Sequence, residues 1–401
     1  MRVCVVGVAA VLAAGVPGYA QVRAPAADGK AAQVALEAPV DVSEVLEPLR
    51  ETGELPALAV VVTRGREVLA QGVTGVRKAG DETKATMDDR WHLGSCTKSM
   101  TATLCAVLVE EGKLRWDSTL GEVFPDVEKH ERWKSVTLEQ LLAHRAGVVA
   151  NLPRPGEWLA AEGVRAQRQT AVREVLAKEP LHEPGTKYLY SNAGYVLAGA
   201  MAEKVCDEAW EDLMRERVFE PLGVRTAGFG PPGRKREVDQ PWGHRRDGSP
   251  TRTDNPAAMG PAGTVHASLA DWGRYIAQHT GGHRADRPAG TWLLKPETFA
   301  RIHRAYEGPG NDYGFGWGIV RRPWGKGPGG DGTVLTHAGS NTMWFCVVWA
   351  APELDMAVLV ATNVAGDSAS KACDQAAGAM IKRFMKPAEA EPSQPEAKGE
   401  R

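Results

Sequence analysis

Apolar residues cluster in strand-like runs near both ends of the chain. Residues 58–75 predict two strands on either side of an Arg-Gly-Arg turn at 64–66, an arrangement typical of a β-hairpin. Apolar runs late in the chain predict further strands at 313–319, 333–336, 343–348 and 356–362. The pattern therefore assigns strands to the two ends of the chain.

Helical spacing of apolar residues dominates the middle of the chain. Residues 95–111 are apolar or small and stop at Gly112, which predicts a buried helix with a glycine at its C-terminus. A closing helix is predicted at 368–385, where apolar residues recur at four-residue steps. The remaining predicted helices lie at 41–51, 138–143, 172–178, 193–205 and 210–218.

This order of elements excludes regular βαβ alternation and a repeat array. We expect a mixed α/β (α+β) fold, in which an antiparallel sheet built from both chain ends is flanked by helices. A mostly helical insert occupies about residues 113–255, and the two parts meet at a cleft that suits a small molecule. The Gly/Pro/Arg-rich stretch at 228–255 is either a solvated loop or a lid.

The two ends of the chain have the composition of processing and tail segments. Residues 1–20 carry Arg2, an apolar run and a small-residue exit, which predicts a secretory signal peptide. Residues 21–40 are predicted to be a linker and 387–401 a disordered tail, leaving 41–386 as the folded domain. We therefore expect a periplasmic or secreted protein with no membrane span after signal cleavage.

Composition narrows the classes of partner and cofactor. The 401 residues have a net charge of −2, which argues against a nucleic-acid partner. Removal of Cys4 with the signal leaves five cysteines, so at least one thiol stays unpaired. His279 and His283 are four positions apart, but Gly281 and Gly282 interrupt any helix between them, and no cysteine pair has zinc spacing. We expect neither a metal nor a cofactor.

Ser95 and Lys98 form an S-x-x-K motif at the start of the predicted buried helix. Residues three apart share a helical face, so the Lys98 amine can reach the Ser95 hydroxyl and act as its base. The helix N-terminus also favours a developing oxyanion there. The motif alone does not decide the function, because residues 368–371 repeat it at the predicted start of the closing helix. Cys96 is a second candidate nucleophile.

Two later segments could complete such a site. Tyr190 and Asn192 form the Y-x-N motif of the chain, in front of a predicted helix. The phenol could pass a proton to a leaving group, and the amide could bind a substrate carbonyl. His337 and Gly339 lie in a predicted late strand, where glycine permits close approach of another backbone. Each of these features is also compatible with a purely structural role.

In this order, Ser95-x-x-Lys98, Tyr190-x-Asn192 and His337-x-Gly339 resemble the three signature motifs of the serine β-lactamase and penicillin-binding superfamily. The likeness is to its branch of class C β-lactamases, D-Ala-D-Ala carboxypeptidases and related esterases. Secondary matches support it, at 141–147, 219–223, 261–263 and 314–318. The resemblance covers roughly residues 41–384 and implies the β-lactamase/transpeptidase-like fold.

The resemblance implies a role for each motif residue. Ser95 would be the acylated nucleophile, and Lys98 and Tyr190 would share the base and acid roles. The backbone N–H groups of Ser95 and Ser340 would form the oxyanion hole. The residues that would align the substrate are Asn192, His337 and Gly339. Which of Lys98 and Tyr190 is the base stays open, since the two titrate as a coupled pair.

The third motif departs from the Lys-Thr-Gly that many β-lactamases of this family carry. His337 replaces the lysine and Ala338 the threonine, and both family side chains help hold a substrate carboxylate. We therefore expect a hydrolase of a small ester or amide, or of a peptidoglycan-derived substrate. An esterase or a D-amino-acid peptidase or amidase fits better than a proficient β-lactamase. The alternatives are a slow-turnover penicillin or peptidoglycan sensor and an inactive binding module.

Overall fold

The computed structural model describes the chain from residue 38 to residue 385, apart from residues 155, 285, 288–291 and 311. The predicted signal peptide, nearly all of the predicted linker and the predicted tail at 387–401 lie outside the described residues. Within the described residues, no helix has both the length and the apolar character that crossing a bilayer requires.

Twelve strands lie in the described part of the chain. The first six are β1 (Val40–Asp41), β2 (Ala57–Arg64), β3 (Glu67–Gly75), β4 (Arg90–His92), β5 (Gly228–Phe229) and β6 (Gly243–His244). The other six are β7 (Pro250–Thr251), β8 (Val265–Ser268), β9 (Gly318–Arg321), β10 (Thr333–Ser340), β11 (Phe345–Ala351) and β12 (Met356–Thr362).

The described part of the chain also contains twelve α-helices. The first six are α1 (Ser43–Thr52), α2 (Thr97–Glu110), α3 (Leu120–Val123), α4 (Leu138–Leu142), α5 (Val164–Leu176) and α6 (Asn192–Cys206). The others are α7 (Trp210–Met214), α8 (Glu220–Leu222), α9 (Gly260–Gly263), α10 (Leu269–Gly281), α11 (Pro296–Ile302) and α12 (Asp367–Phe384).

The predicted sheet of both chain ends is confirmed. Seven strands pair in the order β1-β3-β2-β12-β11-β10-β9, and every pair except β1–β3 is antiparallel. Alternate residues of central strand β2 enter two different cores, as the period of two requires. Ala59 and Val61 pack on one face, while Val60 and Val62 pack on the other face with α12. Helices thus cover both faces of the sheet.

The strand predicted at 313–319 is wrong over most of its length. Strand β9 covers only Gly318–Arg321, and the residues before it form a loop. Gly316 has a φ of +82°, and a Cβ there would lie 2.5 Å from the Ser99 Cα of α2. Gly316 therefore serves close packing against α2 rather than a strand. The predicted strand at 333–336, in turn, continues as β10 to Ser340.

Helices α3–α8 lie between the early and late strands of the sheet, as expected of a helical insert. Helix α5 begins earlier than the predicted 172–178, and α7 is shorter than predicted because a π-helical turn follows at Arg215–Phe219. The stretch at 228–255 contains the short strands β5, β6 and β7. Part of it is thus ordered by pairing: β5 joins β8 and β4 in a small three-stranded sheet.

Candidate active site

Ser95 lies in a 3₁₀ turn, Gly94–Cys96, that leads directly into helix α2. The sequence places Ser95 inside the α-helix, whereas the structure begins the helix at Thr97. The consequence for the motif is small, because residues three apart also eclipse each other in a 3₁₀ turn. The Lys98 Nζ lies 3.1 Å from the Ser95 Oγ, at hydrogen-bond distance.

Lys98 is fully buried and has three hydrogen-bond partners. Besides Ser95, its Nζ donates to the Asn192 Oδ1 and to the Ala262 carbonyl, each at 2.7 Å. A neutral amine has two N–H groups and one lone pair. Two donations to the fixed acceptors Asn192 and Ala262 therefore leave the lone pair facing the Ser95 hydroxyl. This is the arrangement that a base for Ser95 needs.

Burial is also what tunes this amine. Desolvation lowers the pKa of Lys98 from its usual value to about 7, since removal from water disfavours the charged form. At neutral pH a large fraction of the Lys98 amines is therefore deprotonated. An apolar environment supplies this effect with no cationic neighbour, as the helix pattern around Ser95 predicted.

The Tyr190 ring lies beside the Lys98 amine. The Lys98 Nζ stands 4.9 Å from the centre of the Tyr190 ring. Burial raises the pKa of the Tyr190 phenol well above its usual value, and a hydrogen bond with Ser95 offsets only part of that rise. Of the two groups, Lys98 is thus the one that is readily deprotonated at neutral pH, and Tyr190 keeps its proton.

The third motif reaches the nucleophile through backbone contact. A Cβ on Gly339 would collide with the Leu93 carbonyl, and a Cβ on Gly94 would collide with the Ser340 backbone N. Both glycines are therefore required where β10 runs past the 3₁₀ turn. This contact brings the Ser340 amide next to the turn that carries Ser95, where the resemblance expects the oxyanion hole.

His337 has a different environment from the other motif residues. Its side chain is buried, and its Nε2 forms a hydrogen bond of 3.0 Å with the Tyr313 hydroxyl. The His337 ring lies 6.5 Å from the Tyr190 ring, centre to centre. The histidine is not among the residues that line the cavity described below, so its direct contact with a substrate stays a prediction.

A cavity of about 470 Å³ opens onto Ser95. Its lining includes two residues that the sequence predicted, Asn192 and Ser340. It also includes residues that sequence reasoning missed: Asn151, Leu152, Arg154, Asn255, Met259, Asn341 and Thr342. Most of these are loop residues outside the three motifs, so only their position in space connects them with Ser95.

Asn192 is held in place by one of the missed residues. Its Nδ2 donates a hydrogen bond of 2.7 Å to the Asn151 Oδ1, and this bond turns the Asn192 Oδ1 towards Lys98. The neighbouring Ser191 backbone N donates a hydrogen bond of 3.0 Å to the Nδ1 of buried His144. The centre of the His144 ring lies 4.3 Å from that of the Tyr190 ring. His144 belongs to the 141–147 segment, which the sequence matched to the superfamily without assigning it a role.

The other candidate groups are elsewhere. Cys96 is buried, and its Sγ lies 3.5 Å from the His337 carbonyl rather than in the cavity. Within the described residues, no group of three or more His, Cys, Asp or Glu side chains could hold a metal ion. Ser95 and Lys98 come from one segment of the chain, and Tyr190 from a distant one.

Comparison with known proteins identifies the family of the chain. The family model described as Beta-lactamase matches residues 42–379. Penicillin-binding protein 4 of Amycolatopsis lactamdurans is 27% identical over 336 residues, which cover 80% of this chain and 84% of that protein. An unguisins hydrolase of Aspergillus campestris is 28% identical over 197 residues, which cover 46% of this chain but only 35% of that protein.

The fold is shared with solved structures. A β-lactamase/D-alanine carboxypeptidase from Pseudomonas syringae matches with a TM-score of 0.69 at 17% identity, over 86% of this chain and 100% of that one. At this identity the likeness concerns the fold alone, and it confirms the fold class predicted from the sequence. With a family model that spans nearly all of the described residues, the chain belongs to the Beta-lactamase family, a family of serine hydrolases.

Proposed function

We propose that the protein is an exported serine hydrolase that forms an acyl-enzyme at Ser95 on a small ester or amide. The observation that carries the proposal is the fully buried Lys98 amine, 3.1 Å from the Ser95 Oγ at the base of an open cavity. Export rests on the composition of residues 1–20. N-terminal sequencing of the exported protein should then find a chain that begins at Gln21.

Each of these groups has a defined role in the proposed acylation. The Lys98 lone pair takes the Ser95 proton while the Oγ attacks the substrate carbonyl carbon. The carbonyl oxygen becomes an oxyanion that accepts hydrogen bonds from the Ser95 and Ser340 amides. The Tyr190 phenol donates its proton to the leaving group as the ester or amide bond breaks, and the Lys98 proton restores the phenol. Water then hydrolyses the acyl-enzyme and frees Ser95.

The cavity lining favours a substrate that carries a carboxylate. His337 faces Tyr313, but Arg154 lines the cavity together with Asn341 and Thr342. A guanidinium can bind a carboxylate with two parallel hydrogen bonds. We therefore favour a D-amino-acid peptide or ester with a free carboxylate over a neutral ester.

A substrate panel tests this proposal. Steady-state turnover would be measured on a D-Ala-D-Ala peptide, its C-terminal amide, a short acyl ester and a chromogenic cephalosporin. We expect kcat/KM to be higher for the D-Ala-D-Ala peptide than for its C-terminal amide, and R154Q to lower that preference about tenfold, as the loss of roughly 1.4 kcal/mol of binding implies.

Two outcomes would contradict the proposal. The absence of turnover on the whole panel, combined with stoichiometric trapping of the cephalosporin, would instead identify a slow sensor. Equal kcat/KM for the carboxylate peptide and its amide would remove the role given to Arg154. K371M, which changes an exposed lysine outside the cavity, serves as the control for nonspecific charge effects.

A further inference from the structure

The Gly/Pro/Arg-rich stretch at 228–255 ends with a carboxylate that is enclosed beside the active site. The Asp254 side chain is only 7% exposed, and the His92 side chain next to it is fully buried. Asp254 Oδ2 lies 3.0 Å from the His92 Nε2. Because a buried carboxylate is costly unless donors surround it, this contact requires an explanation.

The His92 ring transmits this contact to the turn of the nucleophile. The Gly94 backbone N–H donates a hydrogen bond of 3.1 Å to the His92 Nδ1. The Nδ1 must therefore offer a lone pair, so the proton of the imidazole resides on Nε2 and is donated to Asp254. Asp254 thus fixes both the tautomer and the orientation of the ring that holds Gly94, the residue directly before Ser95.

The second oxygen of Asp254 reaches the opposite segment. The Asn341 Nδ2 donates a hydrogen bond of 2.7 Å to the Asp254 Oδ1, and the Asn255 backbone N donates one of 2.6 Å to the same oxygen. The Asn341 Oδ1 in turn accepts a hydrogen bond of 3.1 Å from the Met343 backbone N. Asn341 directly follows Ser340, so one carboxylate is connected to both segments that meet at Gly94.

We propose that Asp254 is a positioning residue that sets the spacing between the Ser95 and Ser340 backbone amides. The inference rests on the proposed function, in which these two amides bind the oxyanion. Such donors act only when they lie about 2.7–3.1 Å from the developing charge. A small displacement of either segment therefore weakens transition-state binding and leaves Lys98 unchanged.

The polarity of the network provides a selective variant. In D254N one amide oxygen replaces two carboxylate oxygens that serve three donors. The new NH₂ therefore faces either the His92 N–H, or the Asn341 NH₂ and the Asn255 N–H. The double variant D254N/N341D reverses one contact: His92 donates to the amide oxygen at position 254, and the amide NH₂ at that position donates to the new carboxylate at 341. The Met343 N–H keeps its acceptor, and only the Asn255 N–H loses one.

The test measures the rate at which a fluorophosphonate phosphonylates Ser95, with loss of fluoride, as a function of pH, together with the thermal midpoint. D254N should lower the plateau rate by about tenfold to 100-fold, since a misplacement of about 1 Å has an effect of this size. The pH midpoint should not move, because desolvation sets the pKa of Lys98. The double variant should recover at least half of the loss on a logarithmic scale.

The control is D247N, in an exposed turn of the same stretch, where Asp247 bonds only Ser249. Its phosphonylation rate should stay within twofold of that of the unmodified protein. The inference is overturned if D254N is phosphonylated as fast as D247N, or if the double variant folds but recovers nothing. Should D254N alone fail to fold, the double variant still decides. A protein without any label on Ser95 would instead refute the proposed function.

Discussion

Replacing Lys98 with methionine should lower the rate of Ser95 acylation by about 100- to 10,000-fold, the range that general-base catalysis contributes. Methionine keeps most of the buried side-chain volume but offers no lone pair to the Ser95 hydroxyl, 3.1 Å away. The rate would be followed by single-turnover acylation. K371M is the matched control, because Ser368 and Lys371 repeat the S-x-x-K spacing at exposed positions of helix α12.

The pH dependence of the same reaction separates a neutral Lys98 from a charged one. With its pKa lowered to about 7, the amine is protonated below that pH and free above it. Acylation should therefore fall about tenfold per pH unit below 7 and reach a plateau above 8. A midpoint near 10, or a K98M rate equal to that of K371M, would contradict the role of Lys98 as the base.

Replacing Arg168 with methionine should lower the free energy of unfolding by about 3–5 kcal/mol, as expected when one partner of a buried ion pair is removed. The Arg168 guanidinium is fully buried and binds two carboxylates, Glu203 and Glu211, at 2.6 Å each. Its Nη1 also donates to the Ala257 carbonyl. One side chain thus connects α5, α6 and α7 with the segment that leads to the cavity wall.

The measurement is denaturant unfolding at pH 7, with R115M as the control. The Arg115 side chain is 62% exposed and pairs with Asp117 and Glu122, so its loss should leave the unfolding free energy nearly unchanged. A change in R168M as small as that in R115M would show that the three helices do not depend on this cluster.

Local patterns allowed the sequence to predict most of the regular structure. The hairpin of β2 and β3, strand β12 and helix α12 follow from periodicity and turn residues within one short window. The strand prediction for 313–317 was wrong. The aromatic residues of that segment suggest a strand, whereas Gly316 packs against the backbone of Ser99 in a distant helix. Such a contact has no signature within the segment itself.

The same distinction applies to the site. Ser95, Lys98, Tyr190 and Asn192 were predictable because each belongs to a spaced motif, and the structure brings all four together. Asp254 and His92 were not predictable, because they are 162 positions apart and only the fold pairs them. His337 shows the limit of a motif: the spacing identified the strand correctly, while the packing of Tyr313 decides where its side chain points.

Peptide mapping after reaction with a fluorophosphonate tests the central claim most directly. The reagent would be mixed with the protein at pH 8, and the site of the added mass would be read by tandem mass spectrometry. A single adduct on Ser95 that disappears in S95A is the predicted result. An adduct on Cys96, or an S95A protein that is still labelled in the peptide spanning residues 95–98, would contradict the account.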